Sequence, residues 1–102
     1  MTDTVQSSLR LHVDSGPHVG EECCISALEA RVGRGSENDL CLFDDQTVSE
    51  EHVRFYVEDN RWYVADSGSR NGVFIPGAGG LERLSGPTSL ADKSEIHLGS
   101  TR

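Results

Sequence analysis

Polar and apolar residues alternate with a period of two along much of the chain, the pattern of strands that bury one face. Leu9, Leu11 and Val13 alternate with Arg10 and His12, and Val53, Phe55 and Val57 alternate with Arg54 and Tyr56. Trp62 and Val64 resume the alternation after Asp59-Asn60, a dipeptide suited to a two-residue hairpin turn. Shorter apolar runs fall at residues 23–25, 30–32, 40–43, 73–75 and 96–98. Turn-forming residues separate them at 15–17, 33–38, 44–45, 67–72, 76–80, 85–87 and 91–94. No window places apolar residues at i, i+3, i+4 and i+7 for the length of an ordinary helix. Short strands about every 8 to 12 residues predict an all-β fold, an antiparallel β-sandwich of about ten to eleven short strands. Side chains from both sheets fill such an interior, so binding groups are expected on loops at one end.

A chain of 102 residues is one domain, able to bury roughly 60 to 65% of the surface that its unfolded form exposes. That is one modest core with no room for a deep cofactor cleft, and no cofactor is expected. Residues 1–8 are polar and predict a flexible N-terminal arm, leaving 9–102 as the domain. No apolar stretch approaches the ~20 residues of a membrane span, and no secretory leader pattern opens the chain. The domain itself is therefore expected to make no membrane contact. Nine Lys and Arg against 17 Asp and Glu give a net charge of −8 with no basic run. Nucleic acid is excluded as a partner on that balance, because phosphate-backbone affinity needs clustered cations.

Cys23, Cys24 and Cys41 are odd in number and two are adjacent, a poor disulfide framework that fits a reducing cytoplasm. They offer no Cys-x-x-Cys pair and no His at ligand spacing, so no metal site is expected. On a strand, Cys23 and Cys24 would point to opposite faces.

Three loops concentrate hydrogen-bond donors: Gly33-Arg34-Gly35-Ser36, Thr47-Val48-Ser49-Glu50-Glu51-His52, and Ser67-Gly68-Ser69-Arg70-Asn71-Gly72. A phosphate dianion is held by an Arg fork together with hydroxyl, amide and backbone N–H donors. Arg34, Ser49, Arg70 and Asn71 supply that set if the loops converge. Each residue also has a plainer reading. Arg34 alone would be a solvated arginine in a Gly-rich turn, Ser49 a turn cap, His52 a satisfied structural histidine and Asn71-Gly72 a tight turn.

Together the motifs resemble the forkhead-associated (FHA) domain, a phosphothreonine-peptide-binding module. The resemblance rests on Gly33-Arg34, then Ser49-x-x-His52 after an acidic turn, then Gly68-Ser69-Arg70-Asn71-Gly72 leading into Val73-Phe74, and it extends from Leu9 to Gly99. It implies that Arg34 and Ser49 bind phosphate and that Asn71 bonds the backbone of a bound peptide. It also implies that Arg70, where the family often has Thr, contacts the phosphate or a residue flanking it. Gly33, His52 and Gly72 would support the site, His52 by tying the loops together and Gly72 by permitting a turn. The implied partner is a protein or peptide containing phosphothreonine.

Two features depart from the family. Glu50-Glu51 stands where basic residues are frequent, and carboxylates ~4 to 6 Å from a phosphate oppose its binding. Residues 73–80 replace a frequent Thr-Phe-Val-Asn-Gly type of ending with Val73-Phe74-Ile75-Pro76-Gly77 and a longer Gly-rich loop.

Residues 9–20, the Gly72-Val73-Phe74 turn and residues 86–102 are similar to the cytoplasmic domain of a type III secretion inner-membrane ring subunit. That similarity implies a scaffold with weak or no phosphopeptide binding, other secretion-apparatus subunits as partners, and a cytoplasmic location as part of an inner-membrane protein. It further implies that the chain stops one strand short of the family fold. An enzyme is not expected: Ser49, His52 and Asp66 lack a Gly-x-Ser-x-Gly elbow, and Ser and His three apart on a loop give no reason for base geometry. The site has no catalytic residue on this reading.

Overall fold

A computed structural model describes residues 9–25, 28–90 and 94–98. The arm expected at 1–8 and the chain after residue 98, including the question of a further strand, lie outside the described residues. Among the described residues nine strands follow in order: β1 (Leu9–His12), β2 (Glu22–Ile25), β3 (Glu29–Gly33), β4 (Leu40–Cys41), β5 (Val53–Glu58), β6 (Arg61–Asp66), β7 (Phe74–Gly77), β8 (Gly80–Arg83) and β9 (Thr88–Ser89).

They form a five-stranded sheet of order β4-β3-β5-β6-β9 and two hairpins, β1-β2 and β7-β8. Every pairing is antiparallel except the short β3-β4 pair, which is parallel. The apolar run at 96–98 contributes a single bridge, His97 to Phe74.

The alternation dictates which face is buried. Ala30, Phe55 and Val64 are register partners across β3, β5 and β6, and all three are buried. Between them, Tyr56 and Tyr63 stack on the opposite face, with ring centroids 5.6 Å apart. The inner residues meet Leu42, Val48, Val73, Leu84 and Leu98 in one hydrophobic cluster, against which Leu9, Leu11, Cys23 and Trp62 pack. The β5-β6 turn is made by Asp59 and Asn60 at φ 53° and 64°, the left-handed pair that a type I′ turn requires. Three cysteines are free. Cys23 is half-buried and Cys24 exposed, as strand alternation demands.

The β7-β8 hairpin corrects the loop expected at 76–80: Pro76 pairs with Leu81 inside it, and only residues 78 and 79 make the turn. All four residues of β8 are exposed, so no alternation marked it. β9 is two residues long, and its pairing to Tyr63 and Val64 is set by the sheet. Among the described residues no helix is long and apolar enough to cross a membrane.

Candidate functional site

The three donor-rich loops meet because two of them are sewn to each other by backbone bonds. Arg34 N donates to Ser49 O at 2.9 Å and Gly35 N to Glu50 O at 3.1 Å. Asn38 Nδ2 adds bonds to Gly35 O and Glu50 O at 2.8 and 2.7 Å. This approach requires glycine at position 33. A β-carbon there would lie 2.9 Å from the Glu50 carbonyl carbon, closer still to its oxygen, and 3.0 Å from Asn38 Nδ2.

His52 joins the second loop to the third. Its ring is fully buried. Nδ1 accepts from Ser49 N at 3.0 Å, and Nε2 lies 2.7 Å from Gly72 O. Because Nδ1 is an acceptor, the ring's proton sits on Nε2 and is donated to Gly72. Gly72 holds φ 86°, a left-handed conformation that costs a residue with a side chain but not glycine. Ser49 Oγ completes the junction by accepting from Arg70 N at 3.0 Å.

Arg34, Ser49, Arg70 and Asn71 consequently line one depression, shared with Gln46, Thr47, Val48 and Glu50. Arg34 Nε donates to Val48 O at 2.9 Å. That bond fixes the plane of the guanidinium and leaves both terminal nitrogens to donate outward. Ser49 Oγ uses a lone pair on Arg70 N, so its hydroxyl hydrogen remains to be given. Asn71 Nδ2 donates to Thr47 O at 2.8 Å, which holds the side chain across the rim with Oδ1 available as an acceptor. The arrangement is a set of convergent donors around two guanidinium groups, suited to a compact dianion.

The adjacent carboxylates separate. Glu50 lines the depression, whereas Glu51 lines a different cavity with Glu29, Arg31, Asn38, Arg54 and Ser67. Of the two, Glu50 alone is a lining residue of the candidate anion site.

Three residues position the loops in a way the sequence analysis did not assign to them, Asp66 having been weighed there only as part of a hydrolase-like set. Asp45 is buried, and its Oδ1 accepts from Thr47 N at 3.0 Å and from Thr47 Oγ1. Asp66 Oδ1 accepts from Gly68 N and Ser69 N at 2.9 and 2.7 Å, and Ser69 Oγ accepts in turn from Gly72 N at 3.0 Å. Asn38 is the third. A signal was present for the two aspartates, since Asp in a turn commonly bonds backbone N–H groups two or three residues on, whereas Asn38 acts by donating to carbonyls of two loops.

No group of three His, Cys, Asp or Glu among the described residues could hold a metal ion. Both ring nitrogens of His52 are engaged with backbone groups, so it offers no base to the Ser49 hydroxyl.

Residues 30–99 match the family model for the FHA domain. The chain is 37% identical over 95 residues to glycogen accumulation regulator GarA of Mycobacterium tuberculosis, covering 93% of this chain and 55% of that protein. It is 35% identical over 68 residues to the oxoglutarate dehydrogenase inhibitor of Corynebacterium glutamicum, covering 67% and 47% of the two chains. The solution structure of the FHA domain of an Arabidopsis thaliana hypothetical protein superposes with a TM-score of 0.82 at 27% identity, covering 99% of this chain and 85% of that one. The chain spans about half the length of the curated relatives it matches.

The similarity to a type III secretion ring subunit is corrected by these relatives, which are a regulator and an inhibitor. Part of it rested on the chain around residues 16–20, which is the turn region between β1 and β2, with Gly16 and Gly20 at φ 97° and 94°. A hairpin at this place needs such residues whatever the protein does.

Proposed function

The chain belongs to the FHA domain family, and on that premise we propose that it is a non-enzymatic interaction module whose loop end binds a phosphothreonine-containing peptide. The observation that carries this reading is the convergence of Arg34, Ser49, Arg70 and Asn71 on one depression, with the side chains of Arg34, Ser49 and Asn71 held by bonds to Val48, Arg70 and Thr47. Arg34 and Arg70 supply charge, and Arg34 and Ser49 supply directed hydrogen bonds to phosphate oxygens. Asn71 presents Oδ1 to a peptide N–H. Gly33, His52 and Gly72 hold the loops in register before any ligand arrives, which reduces the ordering cost of binding.

The partner in this reading is a phosphorylated protein whose activity the domain regulates, as the names of its relatives suggest for glycogen accumulation and oxoglutarate dehydrogenase. Nothing in the site calls for a cofactor, and the cytoplasm, where protein kinases act, is the compartment that this function requires.

Calorimetric titration with a degenerate phosphothreonine peptide library tests the proposal. Micromolar binding, on the order of −8 kcal/mol, is expected. Arg34→Ala should cost about 1.5 to 3 kcal/mol, the range for a hydrogen bond to a charged group. Equal binding of the phosphorylated and unphosphorylated libraries would overturn it.

A further inference from the structure

His18 stands in the turn between β1 and β2, outside the depression, and is only 3% exposed. Its ring makes two polar contacts: Nε2 accepts from Asp44 N at 3.0 Å, and Nδ1 is hydrogen-bonded to Glu21 Oε2. Because Nε2 is an acceptor, the single proton of the neutral ring sits on Nδ1 and is donated to Glu21. The ring of Phe43 packs edge-on against it, with centroids 4.8 Å apart. The charged residues around the ring are Glu21 on its own turn and Asp44 and Asp45 on the segment packed against it. The Asp45 carboxylate is engaged by Thr47.

Asp44 opens the turn that carries the rim of the depression. Asp45 N donates to Leu42 O and Val48 N to Asp45 O, both at 3.1 Å, and Asp45 Oδ1 accepts from Thr47 N at 3.0 Å. Thr47 O in turn accepts from Asn71 Nδ2, and Val48 O from Arg34 Nε. A run of covalent and hydrogen bonds thus leads from His18 through Asp44 and Asp45 to the two carbonyls that orient Asn71 and Arg34.

We infer that His18 is a positioning residue for the loop end: its neutral ring anchors the 42–48 segment from behind, and a second proton on it loosens that segment and weakens phosphopeptide binding. The inference rests on the phosphopeptide reading above. A protonated imidazole carries a donor on both nitrogens. Glu21 holds Nδ1, so the added N–H points at the N–H of Asp44, and two donors do not keep a 3.0 Å contact. Asp44 then withdraws, and the carbonyls of Thr47 and Val48 lose their fixed place. His52 also accepts a backbone N–H, from Ser49, and substitutions at position 18 separate the two rings.

Fluorescence polarisation with a phosphothreonine peptide and its unphosphorylated twin, from about pH 8 to about pH 5.5, the range in which histidines change charge, tests this. Wild type, His18→Gln and His18→Leu are compared as the full 102-residue chain. Gln presents an acceptor oxygen near the place of Nε2 and does not titrate, whereas Leu fills the space without an acceptor. At the alkaline end His18→Leu should bind about three- to tenfold more weakly than wild type, roughly the worth of one hydrogen bond, and His18→Gln should recover most of that loss. As pH falls, wild type should weaken relative to His18→Gln by about the same factor, a ratio in which the titration of the peptide phosphate cancels. Thermal melting verifies folding of both variants. In isotope-labelled wild type without peptide, the Asp44 amide and the Asn71 side-chain amide should titrate together with the His18 ring, a readout that needs no variant. A wild-type to His18→Gln ratio constant with pH, His18→Leu binding like wild type, or Asp44 and Asn71 signals that ignore the His18 titration overturns the inference while phosphate-dependent binding persists. Loss of phosphate dependence in wild type at every pH overturns the phosphopeptide reading and this inference with it.

Discussion

Replacing His52 by Ala removes a buried ring that bonds backbone groups in both the 47–52 and the 67–72 loops. The ring is fully buried and makes two bonds, from Ser49 N at 3.0 Å and to Gly72 O at 2.7 Å. Each buried backbone group left without a partner costs about 1 to 3 kcal/mol, and the vacated volume adds a packing loss. Some rehydration of the cavity offsets part of this, giving a destabilisation of about 2 to 5 kcal/mol. Domains of this size have about 5 to 15 kcal/mol in total, so at the middle of that range the variant folds at 25 °C. Urea unfolding should show a lower midpoint with an unchanged slope, the signature of lost stability in an otherwise similar fold. Tm should fall by at least about 8 °C, since each kcal/mol shifts a small domain by about 4 to 8 °C. His52→Asn, shorter and able to keep only one of the two bonds, should fall between. A cost below about 0.5 kcal/mol for His52→Ala would refute the view that this ring holds the loops together.

Gly33→Ala should destabilise by about 1 to 3 kcal/mol, the usual cost of overpacking, because the new methyl group meets the Glu50 carbonyl; urea midpoints measure it. Glu50→Gln should tighten phosphothreonine-peptide binding by about three- to tenfold at low salt. Two unit charges ~6 Å apart in water repel by about 0.7 kcal/mol and a dianion by twice that. Glu51→Gln, whose side chain lines another cavity, should change the same calorimetric titration by less than about twofold, its charge being further away and screened. An aromatic disulfide reagent should modify exposed Cys24 before half-buried Cys23. Burial first, then the Asp39 charge and Cys24, raise the Cys23 thiol above its ordinary value of 9.0. With its folded value raised, Cys23 favours folding below pH 9 and loses that contribution as pH rises towards the folded value, so Cys23 labelling should accelerate only in that alkaline range.

What the sequence revealed and what it hid divide along physical lines. β5 and β6 were legible because strict alternation around Asp59-Asn60 is a local property that survives in the fold. β8 was not, since its four residues are exposed on both faces and their pairing with β7 comes from the hairpin. The donor residues Arg34, Ser49, Arg70 and Asn71 could be named from side-chain chemistry. Their convergence could not, because it depends on tertiary bonds such as Arg34 N to Ser49 O and His52 to Gly72. That Glu50 and Glu51 line different cavities is likewise decided by the loop. Arg83 carried no sequence signal, for its place against Gly72 is created by the β7-β8 pairing.

The central claim is that the loop end of this domain, and no other surface, receives phosphothreonine. Titrating an isotope-labelled sample with a phosphothreonine peptide while recording amide chemical shifts tests it most directly. Large shifts at the amides of Arg34, Ser49, Arg70 and Asn71, absent with the unphosphorylated peptide and lost in Arg34→Ala, are predicted. Phosphate-dependent shifts confined to another face of the sandwich, or none at saturating peptide, would contradict it.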